Sequence, residues 1–246
     1  MPTLEHHGAS IYYEVHGQGF PILTFAPAGL ASTIAVWSEP MAPINPIAEW
    51  SKDYQVIVMD QRNATGGRSR APITSDDGWH SYAADHIAVL DALGVKKCHL
   101  FGQCIGGPFI FGMLKAQPER IASALIAQSI GRVGPLKPEK APRFVNWAKS
   151  LENHPEATEE VLDRFYHNLY GPGFVYSVDR DFVKRCKTPC LTLAGNDEAH
   201  PYPISEEIAQ LLPNNEGFIK EWKSGPALEE AKKRCKEFLK KHTPAS

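Results

Sequence analysis

The chain has 246 residues, and its 26 Lys and Arg against 28 Asp and Glu leave a formal net charge of −2. That balance supplies neither the basic face that nucleic acid needs nor a strong anionic field. Hydrophobic residues at 43% and charged residues at 22% exclude disordered and fibrous classes and suffice for one α/β domain with an insertion. No stretch approaches the roughly 20 apolar residues that span a bilayer, and Met1–Gly8 has no basic region followed by an apolar run, so neither a membrane nor secretion is expected. The five cysteines, Cys98, Cys104, Cys186, Cys190 and Cys235, lack paired metal-ligand spacing. Reduced thiols in a cytoplasmic protein, with no metal and no cofactor, are the expectation.

Ser10 to Val15 alternates as a strand ending at Gly17-Gln18-Gly19, with a hairpin expected to follow. Pro21 to Ala26 is an apolar run of the kind buried on both faces of a sheet, stopped by Pro27-Ala28-Gly29. Trp37 to Trp50 is helical in character, its prolines delaying the regular helix to about Ile47. Tyr54 to Met59 is a second buried strand, followed by a loop through Gly66-Gly67. Trp79 to Leu93 predicts an amphipathic helix closed by Gly94, with His86, Val89, Leu90 and Leu93 on its inner stripe. Cys98 to Phe101 is a strand, Phe109 to Leu114 a helix ending before Pro118, and Ala122 to Ala127 the next strand. From Gly131 to Thr188 helical segments alternate with Pro135, Pro138, Pro142, Pro155 and Pro172, which reads as an inserted lid. Pro189 to Ala194 resumes the sheet, followed by a helix over Glu206 to Leu212, a last strand over Phe218 to Trp222, and a closing helix over Ala227 to Lys241. Strands alternating with helices demand a mostly parallel sheet covered on both faces. The expected division is a core of residues 1–130 and 189–246 with a helical lid at 131–188.

The chemistry concentrates in Gly102-Gln103-Cys104-Ile105-Gly106-Gly107, which follows the Cys98 strand and opens a helix. Glycines two before and two after a small nucleophile remove the β-carbons that would clash in a sharp strand-to-helix turn, leaving the central residue strained and exposed at the sheet edge. That residue is Cys104. The turn also aims the Ile105 amide and the helix start at whatever Cys104 attacks. The blander reading makes Cys104 a small buried hydrophobe in a turn without chemistry.

Several positions together resemble the α/β-hydrolase family. Besides the elbow there are Pro27-Ala28-Gly29 after an apolar strand and Asp60-Gln61-Arg62 with Gly67-Arg68-Ser69 after the next. Asp85 to Gly94 is similar to the helix before the nucleophile strand, and Gly195-Asn196-Asp197 to the acid-bearing loop. The resemblance implies the α/β-hydrolase fold with a helical lid before the penultimate strand, and a nucleophile of the dienelactone-hydrolase type on a lid-bearing body. Two departures stand out. Where members place His-Gly after the third strand this chain has Pro27, which has no N–H, so the second oxyanion donor is expected from Gly29, with Ala28 as the other choice. Members also place the general base just after the last strand, where this chain reads Glu221-Trp222-Lys223-Ser224-Gly225.

A thiol with a pKa near ~8.5 is mostly protonated at neutral pH and needs a neighbouring imidazole or a helix N-terminus. His200 is the first candidate because its loop leaves the same sheet edge as Cys104, with Asp197 to orient it and Glu198 as substitute. His200 could equally cap a turn before Pro201. His80, at the start of its helix, is the second candidate, whereas His86 reads as a core imidazole. Asp60, Arg62 and Arg68 are expected to tie down their loop. The leading expectation is a Cys104–His200–Asp197 enzyme acting on a small apolar ester, lactone or thioester. The alternatives are a lactone-forming cyclase or isomerase using the same site and a non-catalytic ligand receptor. The expected partner is a small-molecule substrate, with a homodimer as the expected assembly, and no nucleic acid.

Overall fold

Eight strands form one sheet in the computed structural model, which describes residues 3–151 and 153–245. They are β1 (Thr3–His6), β2 (Ala9–His16), β3 (Phe20–Phe25), β4 (Tyr54–Met59), β5 (Cys98–Gln103), β6 (Ile121–Ala127), β7 (Cys190–Leu193) and β8 (Asn215–Ile219). Their order is β1-β2-β4-β3-β5-β6-β7-β8; the β1–β2 and β2–β4 pairs are antiparallel and the remaining neighbours, from β4 to β8, are parallel. Parallel strands need crossovers, and the helices α1 (Pro46–Trp50), α2 (Trp79–Ala92), α3 (Gly106–Ala116) and α7 (Tyr202–Leu211) supply them, while α8 (Gly225–His242) follows the last strand. Between β6 and β7 lie α4 (Pro142–Lys149), α5 (Glu159–Tyr170) and α6 (Arg180–Arg185).

Successive strand residues face opposite ways, so the apolar runs build two cores. Leu23, Ile57 and Leu100 join one with α2 and α3, while Ile22, Val56 and Phe101 join the other with Trp50 and the α8 residues Cys235 and Leu239. The helical segment docks on the first core through Phe144, Trp147, Phe165 and Leu169. Two buried indoles fix it to the loops below. Trp147 Nε1 donates to Asn63 O at 2.7 Å, and Trp79 Nε1 on α2 donates to Leu169 O at 2.9 Å.

The structure corrects three expectations. β2 and β3 form no hairpin, because β4 lies between them and pairs with both. The first half of Trp37–Trp50 is not helical beyond a 3₁₀ turn over Ile34–Ser38, whereas the regular helix starts at Pro46, beside the expected Ile47, where a missing N–H is harmless and the Asn45 side chain accepts from Ile47 and Ala48. The last strand stops at Ile219, before Trp222, whose buried indole donates to Ala194 O at 2.8 Å. β1 had no sequence signal, being polar and half exposed.

The loop after β4 is held as its residues suggest. Asp60 accepts from Ile34 N at 2.8 Å and from Arg68 N and Nε at 2.9 Å each, and Arg62 forks onto the buried Asp85 with two 2.7 Å bonds.

Candidate active site

Cys104 follows β5 directly and adopts φ of 60°, the left-handed conformation that costs a non-glycine residue energy. Surrounding bonds hold it there. Its amide donates to Ala127 O at 3.1 Å, and its carbonyl accepts from Gly107 N at 3.1 Å and Ile130 N at 3.0 Å. A Cβ on Gly102 would come within 2.7 Å of the Gly106 backbone, and one on Gly107 within 2.0 Å of Ser129 Oγ. Both glycines are therefore required for the turn to close. The thiol sits at the start of α3, whose free N–H groups favour negative charge there.

The second element is the turn after β3. Ala28 is also left-handed, with φ of 89°. Its amide and that of Ile105 face the Cys104 sulfur. Gly29, the expected donor, instead opens the 3₁₀ turn Gly29–Ala31, and it is the Ala28 amide that the turn presents to the thiol.

The third element is the loop after β7. Asp197 and His200 are only three residues apart, yet the loop folds back so that one carboxylate caps and orients at once. Asp197 Oδ1 accepts from Ala199 N at 3.1 Å and His200 N at 3.0 Å, while His200 Nδ1 lies 2.7 Å from Oδ1 and 3.0 Å from Oδ2. Gly195 makes room, since a Cβ there would meet His200 O at 2.3 Å. An ionised carboxylate only accepts, so Nδ1 carries a proton and Nε2 is the nitrogen left to gain or lose one. Nε2 is buried without a well-aligned hydrogen bond, on a ring whose charge nevertheless acts on the Cys104 thiol. Catalytic contacts of this kind often tighten only around substrate.

The electrostatics follow. Burial pushes the Cys104 thiol up, but the His200 imidazole and the Ala28 and Ile105 amides outweigh it, so the thiol lies below its ordinary value. Burial pushes His200 down, but the sulfur and Asp197 outweigh it and the ring is raised. Burial also acts upward on Asp197, yet His200 and Lys223 hold that carboxyl down at about 2. The three groups thus favour a thiolate beside an imidazolium and a carboxylate.

The other histidines lie elsewhere. His80 stands at the start of α2 in a separate groove of about 1080 Å³ that it shares with Lys115 and His167. His86 is fully buried, 2.7 Å from Gln61 Oε1 and packed on Phe25, and burial pushes it down to about 3. It is a core imidazole.

Cys104, His200 and Asp197 open into a cavity of about 250 Å³ that three further polar residues also line: Gln128, Arg143 and Lys223. Lys223 Nζ lies 2.5 Å from Asn196 Oδ1 and 3.2 Å from Asp197 Oδ2, so the loop after β8 reaches the acid rather than supplying the base. Gln128 follows β6 as Cys104 follows β5, a topological signal available from the chain order. Arg143 comes from α4 and carried no signal. No group of three or more His, Cys, Asp or Glu among the described residues is placed to hold a metal ion, and no helix among them is long and apolar enough to cross a membrane.

Curated relatives include a protein of Azorhizobium caulinodans named "Putative carbamate hydrolase RutD", 32% identical over 133 residues, which cover 54% of this chain and 46% of that protein. A protein of the same name from Pseudomonas savastanoi pv. phaseolicola is 25% identical over 236 residues, 83% of this chain and 87% of that one. Among solved structures, the meta-cleavage product hydrolase CumD of Pseudomonas fluorescens IP01 superposes with a TM-score of 0.71 at 17% identity, over 99% of this chain and 98% of that one. The alignment with the first of these relatives spans under half of its length, and the last comparison speaks to the fold alone. The pattern described as the alpha/beta hydrolase fold matches residues 26–177, from the turn after β3 through the elbow and the helical segment. On that match over more than half of its length, and on the sheet and elbow described above, this chain belongs to the α/β-hydrolase fold family.

Proposed function

We propose that this chain is a cysteine-dependent hydrolase of a small ester, lactone or thioester. One observation carries the reading: a left-handed Cys104 at the crest of a parallel sheet, its thiol lowered by an imidazole that Asp197 holds in place. The relatives named for carbamate hydrolysis support acyl transfer as the reaction type.

In this reading the Cys104 thiolate attacks the acyl carbon, and the carbonyl π pair moves onto oxygen. The Ala28 and Ile105 amides, which already face the sulfur, are the donors beside that developing oxyanion. Collapse expels the alcohol oxygen, which takes the proton from His200 Nε2 and leaves a thioester on Cys104. Water then gives its proton to Nε2 and attacks the thioester, and collapse returns the acid and the Cys104–His200 pair. Asp197 keeps the proton on Nδ1, so that Nε2 is the nitrogen that exchanges it. A thiolate is a better leaving group than an amine, so attack on an amide would revert, and activated esters, lactones and thioesters suit the site.

The test is Cys104→Ala and Cys104→Ser assayed on p-nitrophenyl butyrate and a panel of small lactones, with products weighed by mass spectrometry. Wild type is expected to add one water to the substrate and to show a transient acyl adduct on Cys104, and the alanine variant to fall to background. Turnover by Cys104→Ala overturns the assignment of the nucleophile. A product of unchanged mass would replace hydrolysis with isomerisation or ring closure.

A further inference from the structure

We propose that the substrate of this site carries a carboxylate close to its reacting acyl group, and that Arg143 is the residue that selects it. The inference deepens the acyl-transfer reading and rests on it. Its starting point is the charge around the 250 Å³ cavity. Five ionisable groups face it: Cys104, His200, Asp197, Lys223 and Arg143. The thiol and imidazole neutralise each other as a pair. Asp197 is already occupied by His200 at 2.7 Å and by Lys223 at 3.2 Å. Arg143 remains as the cation at this cavity that makes no ion pair or hydrogen bond with any described residue. The exposed Arg143 therefore leaves one uncompensated positive charge at the rim of the cavity.

A second group asks for a donor elsewhere on the same ligand, beside its carboxylate. Gln128 lines the same cavity, is only 5% exposed, and its Oε1 is buried with no partner. Its φ of 40° is strained, and its backbone N–H donates to Leu193 O at 2.8 Å, which fixes the main chain from which the side chain projects. A buried amide oxygen without a donor costs about 1–3 kcal/mol, a debt that a ligand hydroxyl or N–H would remove. A planar guanidinium beside a buried amide matches a small polar acid better than an alkyl chain, because the guanidinium fork bonds a carboxylate bidentately. The cavity volume sits just under the usual small-ligand range of roughly 300–1,000 Å³, which favours a compact substrate. Because Arg143 lies on α4, it is the segment between β6 and β7 that brings this selectivity to the elbow.

The test uses two alkylating reagents of nearly equal shape, anionic iodoacetate and neutral iodoacetamide, each reacting with Cys104 of the full chain. The ratio of the iodoacetate to the iodoacetamide rate constant is expected to fall about tenfold in Arg143→Gln and to recover in part in Arg143→Lys, which keeps the charge but not the fork. The attraction that the His200 imidazolium exerts on iodoacetate is common to all three proteins and cancels in the comparison. A ratio unchanged by Arg143→Gln overturns the proposal. Calorimetric titration with benzoate, and with benzamide as the neutral control, gives a readout that needs no reactive thiol. Benzoate binding that weakens about tenfold in Arg143→Gln supports the subsite, and equal binding overturns it. Should wild-type Cys104 resist iodoacetamide at every pH, the acyl-transfer reading fails, while the benzoate titration still decides the carboxylate subsite.

Discussion

Removing the imidazole tests the electrostatics of the site directly. In His200→Ala the sulfur loses the group that lowers it most, while its burial and the two amides of Ala28 and Ile105 remain. Burial is the largest single influence on this thiol and acts upward, so the amides are not expected to hold it down alone. A thiol at its ordinary pKa of ~8.5 is about 3% ionised at pH 7. Alkylation of Cys104 by iodoacetamide at pH 7 should therefore fall, by up to about 30-fold, the ratio of a wholly ionised to an ordinary thiol. The pH profile gives the sign. The wild-type rate should rise through a midpoint below the ordinary thiol value, whereas the variant should still be climbing above pH 8.5. Ester turnover should fall further than alkylation, since the proton carrier is lost as well, a term of about 10²–10⁴. The adduct has to be mapped to its peptide, because Cys186, hydrogen-bonded to Cys190, is itself lowered to about 7. Superimposable profiles for Cys104 in the two proteins would refute the coupling of His200 to the thiol.

Two further outcomes concern the scaffold. His86 and His99 are held neutral by burial, their values pushed down to about 3 and about 4. The unfolded chain takes up those protons near pH 6.5, so stability is level above that pH and falls as pH drops from 6.5 toward 4 and 3. At pH 5 each ring costs about 2 kcal/mol, and a urea midpoint equal at pH 7.5 and pH 5 would contradict this. Gly102→Ala drives a methyl to 2.7 Å from the Gly106 carbonyl carbon and oxygen. Backbone against backbone cannot yield cheaply, so a loss of about 1–3 kcal/mol or more is expected, with a thermal midpoint several degrees lower; an unchanged midpoint with normal Cys104 alkylation would show that the elbow is looser than its geometry implies.

The interior of the sheet was legible because β3, β4, β5 and β6 are apolar on both faces, and only a buried parallel strand needs that. β4 falls on Tyr54–Met59 to the residue. The failures lie where local propensity was outvoted. Trp222 looked like a strand residue while its indole was needed by Ala194 O. The elbow was legible because its glycines have a steric reason to be there. Ala28 was harder. Ala28 and Gly29 are both left-handed, with φ of 89° and 60°, and which amide meets the sulfur depends on the path of the whole 3₁₀ turn. Gln128, Arg143 and Lys223 meet only in three dimensions, from the ends of β6, α4 and β8, and no spacing in one dimension links them.

The imidazole after β7 also explains why the chain tolerates the loss of one after β8. Spread over two loops, acid and base keep their distance only while both loops keep their shape. Here Asp197 and His200 share one loop, and the carboxylate that orients the ring also accepts from two of that loop's own amides. The pair is thereby fixed as a unit by local bonds, and the β8 exit is released from supplying the ring. Its residues serve the unit instead. Trp222 ties the exit to Ala194, at the root of the loop, and Lys223 bridges Asn196 and Asp197 at its tip. Lys223 clamps the acid without touching the sulfur, and its bond helps hold Asp197 ionised, the state in which the carboxylate accepts from His200 Nδ1 and keeps the ring oriented.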